Sequence, residues 1–226
     1  MSQRHALVAG ATGLVGNELL QQLIHGRYYQ TISVLSRREV ETSSKRVETI
    51  IVDYDKLTAK DIPAGVDDVY CCLGTTMKKA GSKEGFKKVD YAYPLKVAEL
   101  AHKKGTKQYL LVSAMGADAD SMFFYNQVKG EVEQAIAEVG FSAFHVFRPS
   151  LIMGERHDNR GGEKIAQTVM GGISPAMVGW LRKYRPIEGK DIASAMVRMA
   201  KKELEGIYIF ESDKIQTIAN YEAAGV

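Results

Sequence analysis

His5-Ala6-Leu7-Val8-Ala9, running into Gly10-Ala11-Thr12-Gly13-Leu14-Val15-Gly16, is the stretch that decides the fold. The first segment is apolar and short enough for a buried strand. After the glycines, Asn17-Glu18-Leu19-Leu20-Gln21-Gln22-Leu23-Ile24 repeats its apolar residues at helical spacing. Strand, G-x-x-G-x-x-G and helix together form the setting of a turn that cradles a pyrophosphate. Gly10 permits the tight turn, Gly13 lets the backbone approach phosphate oxygens, and Gly16 lets the helix pack on the strand. The helix start adds free N–H groups and the positive end of its dipole. The spacing differs from G-x-G-x-x-G, and the missing G-K-[ST] argues against a P-loop.

Outward from this turn, strand-like and helix-like segments alternate. Thr31–Ser36, Val47–Val52, Val66–Leu73, Gln108–Ser113 and Ser142–Phe147 read as strands, and Glu84–Lys103 and Ser121–Val139 as helices. Parallel neighbours need crossover connections, so the alternation predicts an α/β fold, a Rossmann-like doubly wound parallel sheet with helices on both faces. The 226 residues fit one domain, 1–226. Past Pro149 come a polar loop, Gly154 to Gly162, a helical piece at Lys190–Lys201 and a last strand at Gly206–Phe210. Residues 151–226 are too few for an ordinary second domain and are expected to form a small substrate-side lobe over the carboxyl ends of the strands.

Composition narrows the class. Hydrophobic residues at 45% and charged residues at 25% are ordinary globular values, and a net charge of +3 is too mild for a nucleic-acid binder. No run approaches membrane-span length, so no membrane partner is expected. The adjacent Cys71 and Cys72 make no disulfide framework, which points to a reducing, cytoplasmic setting and to packing roles for both thiols. His5, His25, His102, His145 and His157 lack ligand spacing, so no metal is expected.

The second strand ends in Ser36-Arg37-Arg38, with no acid before Glu39. An acid there favours NAD(H), whereas an arginine accommodates the 2′-phosphate of NADP(H). Position therefore favours NADP(H), with NAD(H) the alternative; Arg37 either meets phosphate, stacks beside adenine, or is a solvated basic turn. Asp53, ending the third strand, either contacts the adenine amino group or caps a turn.

Tyr125-Asn126-Gln127-Val128-Lys129 places a phenol and an ammonium at i and i+4 on one helix face. Phenol is a poor acid–base group at neutral pH, and a nearby ammonium stabilises its ionised form. Ser113, ending the fifth strand, has a hydroxyl that can be donated to a substrate carbonyl. Arriving in this order after a nucleotide turn, the three suggest hydride exchange between a nicotinamide and a small carbonyl or alcohol, with Tyr125 handling the proton and Lys129 the nicotinamide ribose.

The Ser113/Tyr125/Lys129 set resembles that of the short-chain dehydrogenase/reductase superfamily over nearly the whole chain. Cys71-Cys72-Leu73-Gly74-Thr75-Thr76, Lys79-Ala80-Gly81, Phe86-Lys87-Lys88-Val89-Asp90 and Tyr125 through Glu133 are similar to the atypical, Tat-interacting-protein-like oxidoreductases, and Arg148-Pro149 continues the likeness. That resemblance implies catalytic roles for Ser113, Tyr125 and Lys129. It implies phosphate contacts from Gly10, Thr12, Gly13, Leu14, Val15 and Gly16, Arg37 at the adenosine phosphate, and Leu73, Gly74 and Thr75 near the ribose. Many superfamily members carry an asparagine for a proton relay where Asp90 stands here. Some relatives act as regulatory binding proteins, so the alternative is an NADP(H)-occupied redox sensor that binds another protein. An epimerase or dehydratase usually needs a larger substrate lobe. A homodimer through exposed helices is plausible.

Three further features have competing readings. Lys78, Lys79, Lys83, Lys87 and Lys88 either attract an anion or are a solvated loop. Arg156 and Arg160 either clamp a substrate carboxylate or keep a loop soluble. Met122-Phe123-Phe124 either walls a substrate pocket or packs in the core.

Overall fold

The computed structural model describes residues 4–154 and 179–221. Its centre is a seven-stranded sheet in the order β3-β2-β1-β4-β5-β6-β9, parallel throughout. The strands are β1 His5–Ala9, β2 Thr31–Ser36, β3 Val47–Ile51, β4 Asp68–Cys71, β5 Gln108–Val112, β6 Ala143–Arg148 and β9 Gly206–Glu211. A two-stranded ribbon, β7 Ile152–Met153 with β8 Ile187–Glu188, lies beside it in sequence after β6. Because both faces of a parallel sheet are covered, its inner strands read as continuous apolar runs rather than alternating ones. Ala6 and Val8 of β1 face one core, and Leu7 and Ala9 face the other.

The first core is closed by α1 Leu14–His25 and α6 Gly189–Ala200, which bury Leu19, Leu20 and Leu23 against Ile192, Met196 and Met199. Helix α7, Ser212–Asn220, adds Ile215 to this core. The second is closed by α4 Tyr93–Lys103 and α5 Phe124–Val139, through Val97, Ala98, Ala101, Val132 and Ile136. The short helices α2 Met77–Ala80 and α3 Lys83–Lys87 follow β4.

Two elements differ from the sequence reading. The helix expected over Glu84–Lys103 carries a π-turn at Lys88–Ala92, between α3 and α4. Pro94 has no N–H to donate to the carbonyl of Asp90, four residues back, and its ring crowds that position. A wider turn accommodates the gap, and Asp90 sits inside it, buried. The expected lobe over 151–226 is also divided. Its described residues from Gly189 onward belong to the main body: β9 completes the sheet beside β6, and α6 and α7 pack on the α1 face. The β7–β8 ribbon and a short 3-10 segment, Gly179–Tyr184, are the described remainder.

Chain order reverses between β1 and β4, and in open α/β sheets ligands occupy the crevice beyond the carboxyl ends at that reversal. The opposite end is pinned by a polar cluster. Asp68 accepts hydrogen bonds from the Tyr29 hydroxyl at 2.7 Å and from Arg4 Nη2 at 2.9 Å, and the Tyr29 and Tyr70 hydroxyls are 2.7 Å apart. Arg4 also pairs with Glu203 and lies over the Tyr28 ring. Burial pushes the Tyr28 phenol up to about 12, and it raises Tyr29 and Tyr70 as well.

These raised values give an alkaline limit to stability. Unfolded tyrosine ionises near pH 10. The folded chain holds Tyr29 and Tyr70 protonated beyond that, so their contribution is full below about pH 10 and is lost as the pH rises. Urea unfolding at successive pH values is expected to show stability falling above pH 10, by about 1.4 kcal/mol per pH unit for each phenol held protonated. Tyr29→Phe is expected to make that slope shallower.

Candidate active site at the β1–β4 reversal

The glycine turn leaves β1 with Gly10 at φ +88°, in the left-handed region. A Cβ there would stand 2.6 Å from the carbonyl carbon and oxygen of Cys72, and one on Gly16 would stand 2.1 Å from the carbonyl oxygen of Gly10. The Gly10 carbonyl accepts the Gly13 N–H at 3.0 Å, which closes the turn. Helix α1 then starts without a side-chain cap and without an acidic residue in its first turn. Leu14 lies against the backbones of Gly154 and Gly189, and Val15 is buried in the core. Their side chains thus leave the turn, and what remains at its mouth is main-chain N–H, with Thr12 and Gly13 exposed. An uncapped helix start walled by bare backbone fits a diphosphate.

Arg37 and Arg38 are exposed beyond β2. Arg37 lies close enough to favour the ionised form of the Tyr54 phenol, although burial dominates and raises it. Asp53 proves to be a cap: its Oδ1 accepts the Asp55 N–H at 3.0 Å and starts the 3-10 turn Tyr54–Lys56. On the other side of the crevice, β4 continues into Cys72, Leu73, Gly74 and Thr75. Burial pushes the Cys71 thiol up, so it is a packed, protonated group.

Tyr125 and Lys129 lie on one face of α5, four residues apart. Tyr125 is exposed, its ring against that of Phe86 with centroids 5.5 Å apart. Lys129 is buried, and its Nζ is 2.7 Å from Asp90 Oδ1. The other oxygen of Asp90 accepts the Thr75 N–H at 2.8 Å. Burial opposes the Lys129 charge, but the field of Asp90, aided by Tyr125, outweighs it and raises the ammonium above its ordinary value.

Ser113 lies on the same side of the sheet but faces one turn further along α5, where its hydroxyl donates to Glu133 Oε1. Arg148 grips that carboxylate with Nε at 3.1 Å from both oxygens and Nη2 at 2.6 Å from Oε2. A serine hydroxyl has one proton, and a carboxylate so held by arginine only accepts. The Ser113 proton is therefore committed to Glu133, and toward a ligand this side chain offers lone pairs. The sequence reading had this serine donating to a carbonyl and missed the Glu133–Arg148 pair. The available signal was the position of Glu133 at i+4 from Lys129, on the same stripe.

Lys87 pairs with Glu131 at 2.8 Å, Lys88 pairs with Asp55 at 2.7 Å, and Lys83 lies over the Phe124 ring. Much of the basic cluster thus serves the surface of the fold. Met122 and Phe123 are exposed beside Tyr125, whereas Phe124 packs on Phe86. Arg156 and Arg160 fall outside the described residues. Among the described residues no group of His, Cys, Asp or Glu could hold a metal ion, and no helix is long and apolar enough to cross a membrane. A groove of about 470 Å³ between α5 and β9, walled by Glu133, Arg148, Ile207 and Ile209, excludes Gly10, Tyr125 and Lys129 and is a separate feature.

A family model described as NAD(P)H-binding matches residues 10–173. Protein HTATIP2 of Rattus norvegicus is 38% identical over 178 residues, covering 76% of this chain and 73% of its own length. Protein FMP52, mitochondrial, of Candida albicans is 34% identical over 224 residues, covering 94% of this chain and 97% of its own. Among solved structures, human epimerase family protein SDR39U1 with NADPH superposes with a TM-score of 0.60 at 19% identity, covering 92% of this chain and 74% of that one. MoeE5 in complex with UDP-glucose and NAD gives 0.68 at 15% identity, covering 95% and 80%. At such identities these structures speak to the fold alone. FMP52 relatives from Eremothecium gossypii, Candida albicans and Debaryomyces hansenii are all named mitochondrial, which overturns the cytoplasmic expectation. Unbridged cysteines describe a redox environment, not an address.

Removing one partner of a buried ion pair strands the other charge, at a cost of about 3–5 kcal/mol when both are fully buried. The Arg148 side chain is 20% exposed. Glu133→Ala is therefore expected to destabilise the chain by about 2–3 kcal/mol in urea unfolding. A loss below about 1 kcal/mol, the range of exposed pairs, would contradict the buried pairing.

Proposed function

The chain belongs to the NAD(P)H-binding, atypical short-chain dehydrogenase/reductase family, and from that premise we propose that it is an NADPH-dependent oxidoreductase. Its substrate is a small carbonyl compound or the corresponding alcohol. The observation that carries this reading is the Tyr125–Lys129 pair on one face of α5, with Lys129 under the Gly74 backbone that follows β4, at the reversal where the uncapped α1 also starts.

The bound nicotinamide supplies or accepts hydride at the substrate carbon. The chain supplies position and the proton. Main-chain N–H groups of the Gly10–Gly16 turn hold the diphosphate, and Leu73, Gly74 and Thr75 flank the ribose. Lys129 donates to the ribose hydroxyls, fixed in place by Asp90. Tyr125 gives its phenolic proton to the substrate oxygen in reduction and takes a proton back in oxidation. Ser113 accepts from a hydroxyl in the site. Arg37, with no acid ending β2, favours the 2′-phosphate and hence NADP(H). The regulatory alternative needs nucleotide binding but no acid–base set, and the intact Tyr125–Lys129 pair favours turnover.

Native mass spectrometry for retained nucleotide, followed by a carbonyl screen with that nucleotide, tests the assignment. Tyr125→Phe is expected to lower kcat by about 10²–10⁴-fold, the usual worth of a positioned acid–base group. Cofactor affinity should stay nearly constant. Undiminished turnover in that variant would defeat the proposed chemistry.

A further inference from the structure

We propose that Asp90 sets the balance of affinity between the two redox forms of the cofactor, holding the oxidised form more tightly than a neutral residue would. The inference rests on the nicotinamide reading above and adds a role for a residue that reading uses only as a support.

Lys129 brings one positive charge into a sheltered pocket, and Asp90 brings one negative charge 2.7 Å away, with side-chain exposures of 7% and 1%. The pair sums to zero. Two other groups bear on this ammonium: the Tyr125 phenol and the Cys71 thiol, which burial keeps protonated. Asp90 is thus the counter-charge within the pocket. A neutral residue there, such as asparagine, would leave the ammonium uncompensated.

That difference matters to one form of the ligand more than the other. An oxidised nicotinamide ring carries a positive charge, and a reduced ring carries none. A lone buried ammonium at the ribose repels the oxidised ring and is indifferent to the reduced one. Sheltered from water, such a repulsion is only weakly screened. With Asp90 in place the repulsion is cancelled at its source.

The backbone keeps this pair close to the crevice. A Cβ on Gly74 would lie 3.4 Å from Asp90 Oδ1 and 3.9 Å from Lys129 Nζ, so the segment after β4 runs directly over the pair with no side chain between. The Thr75 N–H, bonded to the second Asp90 oxygen, holds that segment down. The π-turn at Lys88–Ala92 is what brings Asp90 into reach.

The test is equilibrium binding of NADP⁺ and of NADPH, measured separately, to the full chain and two variants. Asp90→Asn keeps an oxygen for the Thr75 N–H but strands the Lys129 charge, so a lower melting temperature is expected, and a melting curve checks that the variant is folded at the binding temperature. In that variant the affinity for NADP⁺ relative to NADPH is expected to fall about tenfold, the scale of one unscreened charge a few ångströms further off. Adding Lys129→Gln makes the pocket neutral again, and the ratio should return toward the wild-type value even though both affinities weaken. A ratio that stays fixed in Asp90→Asn, while both nucleotides bind, overturns the inference alone. So does a shift that persists in the double variant, since charge is then not its cause. A wild-type chain that binds neither nucleotide overturns the nicotinamide reading and this inference with it.

Discussion

At the reversal between β1 and β4 the backbone crosses itself with no room for one methyl group. A Cβ at Gly10 would meet the Cys72 carbonyl, and a Cβ at Gly16 would meet the Gly10 carbonyl, both well inside contact distance. Those two positions fix the direction in which α1 leaves the turn, hence which first-turn N–H groups stay free. They also bring the segment after β4 against the turn, so that one crevice is bordered by the glycine turn on one side and by Leu73, Gly74 and Thr75 on the other. Had larger residues pushed the two strands' ends apart, Thr75 could not also reach Asp90.

The same segment is held from below by charge. Along a single stripe of α5 stand Tyr125, Lys129 and Glu133, and the last two are each paired across the fold: Lys129 with Asp90 from the π-turn, and Glu133 with Arg148 from β6. The polarity alternates, and each pair is neutral within itself. A buried pair adds little net stability over an apolar replacement, yet losing one member is costly. Both pairs therefore argue for placement rather than for stability. One fixes an ammonium and the other fixes a hydroxyl proton, and both act through α5.

Much of this was legible in the sequence because the signals are local. Short apolar runs bounded by turn residues marked the strands to within a residue or two, and the glycine spacing located the tight turn before α1. What stayed hidden was non-local. Pro94 marks a disturbance in a helix, but nothing in its neighbourhood says that the relieved turn buries a carboxylate aimed at a lysine 39 positions onward. Ser113 is recognisable as a strand-end hydroxyl, yet which way its proton points depends on Glu133 and on an arginine from the next strand. The last 76 residues, counted as one lobe, contain a strand whose pairing with β6 is set by tertiary register, not by its own composition.

The hydroxyl inventory bears on how a proton and a hydride are divided in the site. The Ser113 proton goes to Glu133 and one of the three Lys129 ammonium protons faces Asp90, so Lys129 keeps N–H groups for a ligand, while Tyr125 is the most exposed of the three. On the proposed reading, Tyr125 would become negative on giving up its proton as a bound nicotinamide would become positive on giving up hydride. The two charges arise together and oppose one another, so the site begins and ends with the same total. A permanently uncompensated ammonium between them would help the phenolate and hinder the cationic ring. A neutral Lys129–Asp90 pair biases neither charge.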